Sequence, residues 1–534
     1  MGRIVTLTLN DALYNAGLLG FLRICRKSNL PVQEVGNTIN FDSDILKDFT
    51  SHYLQTLIDT FRDDIIYSEI MENYNRIVPL NMNQEENYKK FDESFKYIAD
   101  KLKRASYLAG YEIIKARGDL YDFEVEVKTI KENKEYQEKR LLLDQLIDKI
   151  KKYKDVLIMK DITYTKIQPF WTNVAFLNSK RNKDEFDLCF TEAFTKPAYE
   201  FLPKEGKKVQ LTCCQCDSAV TKSNGFTMSW INDVGVDTVR KTSYYWDFKV
   251  DSFLCPVCNL IYACIPLGFS MQGTEGIFVN DNESIDVLEE MNGVAVVKVD
   301  SRKEDIFYKV IDRFMDINQE LTAQKEVNNI QVIRRSNGRY IFNILSKEKL
   351  NIIKYCKRDF AALVGISVKI QDDYLNVYRK VIQSILNGEN LYPLIYILLH
   401  KGIDKSIRIW FLRYMIKIQA VAFSKGDEKM REKVVFAAMK RGEELRMRML
   451  GDNQNENKVR TLSYKLLNAL KVRNSNEFMD TVLRNYIGLG IQMPISFLDI
   501  LKQEEKFLDF GYAFITGLNG GISKKEDEGE ENAK

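Results

Sequence analysis

The sequence predicts an α+β chain that turns all-helical toward its C-terminus. Three observations carry that expectation. The chain opens with an alternating strand that feeds a long helix. Two widely separated C-x2-C pairs sit among short strands and turns. From about Leu375 onward apolar residues recur at helical spacing, with breaks at Gly388, Gly402, Gly426, Gly451 and Asn474. The expected layout is an N-terminal α+β region over residues 1–205, an inserted four-cysteine, ribbon-like module over 206–270 and a continuation of the α+β region over 271–375. A basic helical bundle over 376–518 and a disordered acidic tail over 519–534 complete it.

Composition narrows the function classes. A chain of 534 residues has room for about two to four domains, and 45% hydrophobic with 29% charged residues fits a globular protein. The nine cysteines cluster mostly in one module, which points to a reducing, cytoplasmic setting and away from a disulfide framework. No apolar run reaches the length of a membrane span, and the start Met1-Gly-Arg-Ile-Val-Thr6 reads as a first strand, not as a signal peptide or a myristoylation site. Net charge is only +3, but from His400 to Arg473 there are 18 Lys and Arg against 8 Asp and Glu, so basic character is concentrated in the helical part. The two histidines, His52 and His400, stand alone, which removes most histidine-based hydrolase and metal-nuclease schemes.

In chain order, Arg3 to Leu9 alternate as a strand and Asn10 or Asp11 can cap the helix that follows, Ala12 to about Lys27. Gly17 and Gly20 lie inside that helix, where they cost propensity unless another element packs close to them. Leu54, Leu57, Ile58 and Phe61 have helical spacing, and a helical pattern from Glu86 to Ala116 stops near Gly118. Residues Tyr121 to Lys128 alternate as a strand, with Asp122, Glu126 and Lys128 in the order of a metal-dependent nuclease D…E-x-K or on an ordinary polar strand face. A Lys-rich amphipathic helix is expected over 135–155, and Pro169, Pro197 and Pro203 mark a loop-rich approach to the cysteines.

Cys213 and Cys216 form one C-x2-C pair, and Cys255 and Cys258 form a second. Two such pairs are the ligand set of a closed, structural zinc site, a four-cysteine zinc-ribbon-like module with no open coordination position for a reaction. Cys214 and Cys264 are spare thiols beside it. Within the module Asn224-Gly225 is a hairpin signal, and the flanking aromatic residues, including Tyr244, Tyr245 and Trp246, can stack bases or cover a small core. Ile261 to Phe269 reads as a buried strand. The glycine-containing stretch after it carries Gln272, Gly273 and Thr274, which suit close approach to a sugar-phosphate backbone or a tight turn.

Residues 293–300 read as a strand, followed by a helix to about Met315. A hairpin over Gln331 to Phe342 is expected to carry Arg334, Arg335 and Arg339 on an exposed tip beside Asn337-Gly338, suited to phosphate. Helices follow near 376–387, 391–400, 405–423, 428–449, 458–471 and 475–486. The one near 405–423 presents Lys405, Arg408, Arg413 and Lys417 in an apolar frame, as a basic face for nucleic acid.

The strand leading into Asn10-Asp-Ala-Leu-Tyr-Asn-Ala-Gly-Leu-Leu-Gly-Phe-Leu-Arg23, the paired cysteines, Ile265-Pro-Leu-Gly-Phe269, the strand ending at Asn280 and the basic helical C-terminus together resemble the CRISPR-associated CXXC-CXXC family, the large subunit of the type I-B Cascade effector complex. The resemblance spans most of the chain. It implies a non-catalytic subunit of an RNA-guided interference complex, set near the 5′ region of the guide RNA. Such a subunit reads the protospacer-adjacent motif on target double-stranded DNA, aids strand opening and contacts the displaced strand. Implied partners are the backbone, 5′-handle and small subunits, and a recruited helicase-nuclease; Met415 is a possible internal start for a separate small subunit. No membrane partner is implied. On physical grounds the DNA-recognition candidates are Lys222, Asn224, Gly225, Gln272, Gly273 and Thr274, on loops beside the ribbon. The rival readings are a metal-dependent nuclease and a zinc-stabilised scaffold that binds only protein.

Overall fold

The first strand, β1 (Ile4–Thr8), buries Val5 and Leu7 and turns Ile4, Thr6 and Thr8 outward, as its alternation requires. It pairs antiparallel with β3 (Thr38–Asp42), which also pairs with β2 (Val32–Val35), in the order β1-β3-β2. Between β1 and β2 runs α1 (Ala12–Lys27). Asp11 caps it, one carboxylate oxygen accepting from the backbone amides of Leu13 and Tyr14 at 2.9 and 3.0 Å. Thirteen of the sixteen residues of α1 are buried, because apolar or small residues surround the helix on all sides.

The structure, a computed structural model, describes residues 3–118, 123–172, 186–201, 211–221, 223–233, 253–293, 305–321, 330–336, 338–371, 373–404, 407–424, 427–451, 456–493 and 504–521. The chain divides into two units, Met1–Ile317 with Ile330–Phe342, and Asn318–Asn329 with Asn343–Lys534. It is a mixed fold with small antiparallel sheets and a helical C-terminal region, as the sequence predicts.

Two apolar clusters stand out among the described residues of the first unit. One is built around α1 and takes in α2 (Phe49–Phe61) and the segments that carry the cysteines. The other lies among α3 (Ile66–Ile77), α4 (Tyr88–Leu102), α5 (Ala105–Ala116), α6 (Phe123–Glu132), α7 (Tyr136–Lys152) and α8 (Lys154–Ile162). Residues 123–128 are therefore helical, not the strand expected at 121–128. Phe123, Val127 and Ile130 are buried at helical spacing while Val125 is exposed, so packing follows the 3.6-residue period and the two-residue alternation is incidental. Two short helices, α9 (Phe186–Phe190) and α10 (Lys196–Glu200), lead toward the cysteines.

The two-stranded ribbon β4 (Leu211–Thr212) and β5 (Ala219–Val220) flanks the first cysteine pair. The expected buried strand at 261–269 is instead two helices, α11 (Pro256–Ala263) and α12 (Ile265–Gly268), each with proline in its first turn, where a missing N–H costs nothing. A four-stranded sheet follows in the order β6-β7-β8-β9, formed by Ser270–Gln272, Glu275–Asn280, Ile330–Ser336 and Arg339–Leu345, with α13 (Ile285–Met291) and α14 (Ile306–Leu321) between β7 and β8. The strand expected at 293–300 lies, from residue 294, outside the described residues.

The second unit holds α15 (Lys347–Tyr355), α16 (Lys357–Leu363), the hairpin β10 (Ser367–Ile370) and β11 (Asp373–Asn376), and a set of helices. These are α17 (Val377–Asn387), α18 (Tyr392–Ile403), α19 (Leu412–Ala422), α20 (Glu428–Leu450), α21 (Glu456–Lys471), α22 (Ser475–Gly488) and α23 (Glu504–Leu518). Helix α19 begins later than the expected 405–423, because Ile409 turns inward against Gly402. Met415, considered as an internal start, is fully buried within it. A buried ion pair, Arg431 to Asp509 at 2.7 Å, ties α20 to α23, and the Tyr392 hydroxyl donates to the same carboxylate at 2.6 Å.

Candidate metal centre

The sulfur atoms of Cys213, Cys216, Cys255 and Cys258 all lie within 4.8 Å of one another. Local structure explains each position. Cys213 follows β4 directly, and its amide donates to the Ser218 carbonyl at 2.9 Å, closing a tight loop. Asp217 completes that loop in the left-handed region, with φ of 55°, a conformation that aspartate tolerates. Cys255 is the N-cap of α11, and its sulfur accepts from the Cys258 amide at 3.4 Å. Bridges from Cys213 to Phe253 and from Phe226 to Leu254 fasten the two knuckles together.

The donor set fits a single soft ion. A tetrahedral thiolate site with metal–sulfur bonds of about 2.3 Å separates its sulfurs by about 3.8 Å. Cys216 and Cys255 sulfurs stand 3.6 Å apart, far beyond a disulfide bond, and a multi-iron cluster would spread them more widely. Three of the four residues are buried and Cys216 is half-buried. Four thiols this close compete for protons. Hydrogen bonding from Cys216 holds the Cys213 thiol far below its usual range, while Cys213 in turn drives Cys255 and Cys258 far above theirs. A cation relieves that conflict by taking the place of the protons. Such a site is closed and organises the fold. Cys214 is exposed, and Cys264 is buried with its thiol donating to the Leu260 carbonyl; neither is among the four clustered sulfurs.

Around the centre, α1 is built into the module. A methyl on Gly17 would stand 2.9 Å from the Ile261 carbonyl carbon, and one on Gly20 would stand 3.0 Å from that of Cys264 and 3.1 Å from the Gly268 nitrogen. The helix glycines thus let α1 lie backbone to backbone on α11 and α12. Arg23 donates to the Leu267 carbonyl at 2.7 Å, and the Tyr53 hydroxyl donates to that of Ala263 at 3.0 Å. Trp230, half-buried, packs edge-on to Trp171 and donates to Asn259 at 3.0 Å, so this aromatic residue covers the core. Tyr244, Tyr245 and Trp246 lie outside the described residues.

The candidate DNA-recognition residues fall in different surroundings. Lys222 lies outside the described residues. Asn224 and Gly225 are half-buried in a turn whose amides donate to the Thr221 carbonyl at 3.0 and 2.9 Å. Gly225 has no left-handed backbone and the segment after it pairs with Leu254, so Asn224-Gly225 does not make the two-residue hairpin expected of it. Gln272 is on β6, buried, and its side-chain oxygen accepts from the Ile306 amide at 3.3 Å, away from the loop position expected. Gly273 and Thr274 form the two-residue turn between β6 and β7, with Gly273 at φ of 60° and Thr274 exposed. A buried ion pair that sequence reasoning missed holds this turn. Lys166 and Asp64 are 2.5 Å apart, Lys166 also donates to the Gly273 carbonyl at 2.9 Å, and the Gly273 amide donates to Asp64 at 3.0 Å. No local pattern marks that pair, because its members are 102 residues apart.

The basic candidates separate similarly. Arg334 and Arg335 are buried on β8 instead of exposed on a tip; Arg335 pairs with Asp233 at 3.0 Å and lies over the Tyr340 ring. Arg339 is exposed at the start of β9, and Arg408 is exposed before α19. Arg413 donates to the Tyr414 hydroxyl at 2.7 Å, and Lys417 pairs with Asp359 at 3.1 Å and Glu432 at 2.8 Å. Lys405 and Asp122 lie outside the described residues. Glu126 and Lys128 are two positions apart on a helix and so point in different directions, and Glu126 pairs with Lys149. Among the described residues no helix is long and apolar enough to cross a membrane.

No curated protein and no solved structure matches the chain. Residues 207–270, the stretch that carries all four clustered cysteines, match the family model described as CRISPR-associated protein (Cas_CXXC_CXXC). That match supports a CRISPR-associated protein of the CXXC-CXXC family.

Proposed function

We propose that this chain is the non-catalytic large subunit of a type I-B Cascade complex, that it recognises the protospacer-adjacent motif on target duplex DNA and aids strand opening, and that its metal is a structural zinc ion. The observation that carries the reading is the family match falling on the four-cysteine centre. The reading assigns sequence discrimination along the target to guide-RNA pairing, and leaves to this chain the short flanking motif and the backbone. Of the recognition and backbone candidates, Thr274, Arg339 and Arg408 are exposed, while Asn224, Gly225, Gly273, Arg413 and Lys417 are half-buried. The closed thiolate centre and the divergence of Glu126 and Lys128 on one helix favour a chain without a nuclease site of its own.

The test is binding of the assembled complex to matched duplexes with a randomised flank, with and without this chain. Flank preference that depends on the chain, together with affinity that falls with salt, supports the reading. Unchanged preference and affinity without it would sink the recognition role. Magnesium-dependent cleavage lost on Glu126→Ala would replace it with the nuclease, and salt-insensitive association with protein alone would favour a scaffold.

A further inference from the structure

A thiolate buried beside a metal carries charge that the metal only partly cancels, and hydrogen bonds from outside the ligand set commonly take up the remainder. Here one such donor comes from far away in the chain. The Tyr14 hydroxyl, on α1, lies 3.6 Å from the Cys258 sulfur, within hydrogen-bond reach for sulfur, and is 244 residues distant in sequence. Tyr14 is 1% exposed. A metal-bound thiolate has no proton to give, so the phenol is the donor.

A second contact from the same helix reaches the other knuckle. The Asp11 oxygen that does not cap α1 accepts from Gln215 at 2.6 Å and from the Tyr262 hydroxyl at 2.7 Å. Gln215 sits between Cys213 and Cys216, and Asn10 donates to its side-chain oxygen at 2.9 Å. Tyr262 is on α11, one turn beyond Cys258. One carboxylate therefore links the first turn of α1, the loop of the first cysteine pair and the helix of the second. The backbone-level approach of Gly17 and Gly20 to α11 and α12 sets this register.

We infer that α1 belongs to the metal centre: Tyr14 is a positioning residue that donates to the metal-bound Cys258 thiolate, and Asp11 holds the loop of the first knuckle through Gln215. The inference rests on the metal reading above and adds that the ion's retention depends on α1. Removing the Tyr14 hydroxyl should weaken metal binding about tenfold, the lower end of what outer hydrogen bonds to metal ligands contribute.

The experiment compares wild type, Tyr14→Phe and Tyr53→Phe in the full chain. Tyr53 is the internal control, a fully buried tyrosine in the same core whose hydroxyl bonds the Ala263 carbonyl and no sulfur. Each protein is loaded with zinc and its release to a chelator is timed, and each is loaded with cobalt(II) and its sulfur-to-cobalt charge-transfer band recorded. Tyr14→Phe should lose zinc about tenfold faster and shift the band to lower energy, since an unbonded thiolate gives up an electron more readily. Tyr53→Phe should lower stability while leaving the band unmoved. A band in Tyr14→Phe at the wild-type energy with wild-type release, or equal changes in both variants, would overturn the inference. Failure of wild type itself to bind either ion would instead overturn the metal reading.

Discussion

Replacing Gly20 by alanine tests the contact on which the metal module and the first helix depend. The added methyl would stand 3.0 Å from the Cys264 carbonyl carbon and 3.1 Å from the Gly268 nitrogen, where carbon contacts settle at about 3.5–4 Å. Both obstacles are backbone, so neither can swing aside. The methyl falls closest of all to the Cys264 carbonyl oxygen, so helix α1 must retreat by roughly an ångström, a gap that forfeits about half of each dispersion contact along the seam. Overpacking of this kind costs about 1–3 kcal/mol, at the upper end where backbone is the obstacle, and better helix propensity returns about 1 kcal/mol. The net expectation is a loss of about 2 kcal/mol. Denaturant unfolding followed by fluorescence of Trp171 and Trp230, both packed in this core, measures it. Gly488→Ala is the comparison, since nothing lies within 4 Å of that position and the change should be neutral or stabilise by up to about 1 kcal/mol. A Gly20→Ala protein as stable as wild type would refute the argument that bare backbone contact fixes α1 on α11 and α12.

Three further outcomes follow from the same structure. Stripping the metal with a chelator, or Cys255→Ser, should lower the melting temperature of the first unit by about 5–15 °C, because the ion binds only the folded site; an unchanged melt would mean the cluster contributes no stability. Lys166→Met should cost about 3–5 kcal/mol by leaving Asp64 charged and buried, and adding Asp64→Leu should recover part of the loss in a double-mutant cycle; additive costs would show that the pair is not coupled. Burial pushes the Asp161 carboxyl above its ordinary value of 3.8, although it accepts from the Ile66 amide and the Ser106 hydroxyl. Its folded value lies above its unfolded one, so its contribution is complete below 3.8 and is lost as pH rises through the raised value. Asp161→Asn should therefore flatten the fall in melting temperature across that acidic window, and identical pH slopes in both proteins would contradict the assignment.

The parts of this molecule that were legible in the sequence are those set by neighbours along the chain. The Asp11 cap, the limits of α1 and the close packing at Gly17 and Gly20 follow from residue type and spacing, and so does the four-cysteine cluster. Alternation misled at 121–128, because Phe123, Val125 and Val127 satisfy a two-residue period while burial selects Phe123, Val127 and Ile130. A continuous apolar run hid the helices at 256–268, whose signal was Pro256 and Pro266 in first-turn positions. The arginines failed for another reason. Whether Arg335 faces phosphate or a protein carboxylate depends on Asp233, 102 residues away, and no local pattern encodes that partner. The same holds for Lys166 and Asp64, which fix the Gly273 turn without a motif.

The distance in sequence between Tyr14 and Cys258 also has a bearing on how the protein is made. Helix α1 leaves the ribosome long before the helices it lies against, with thirteen of its sixteen positions destined for burial. Those helices are synthesised 244 residues later, which at about 5–20 residues per second is a wait of roughly 10–50 s. Through that interval the side of α1 that meets Phe41 of β3 and Phe49 of α2 can already find its final partners, but the side that takes α11 and α12 cannot. The nascent chain therefore needs a temporary cover for that second side alone, until the helices after the second cysteine pair arrive.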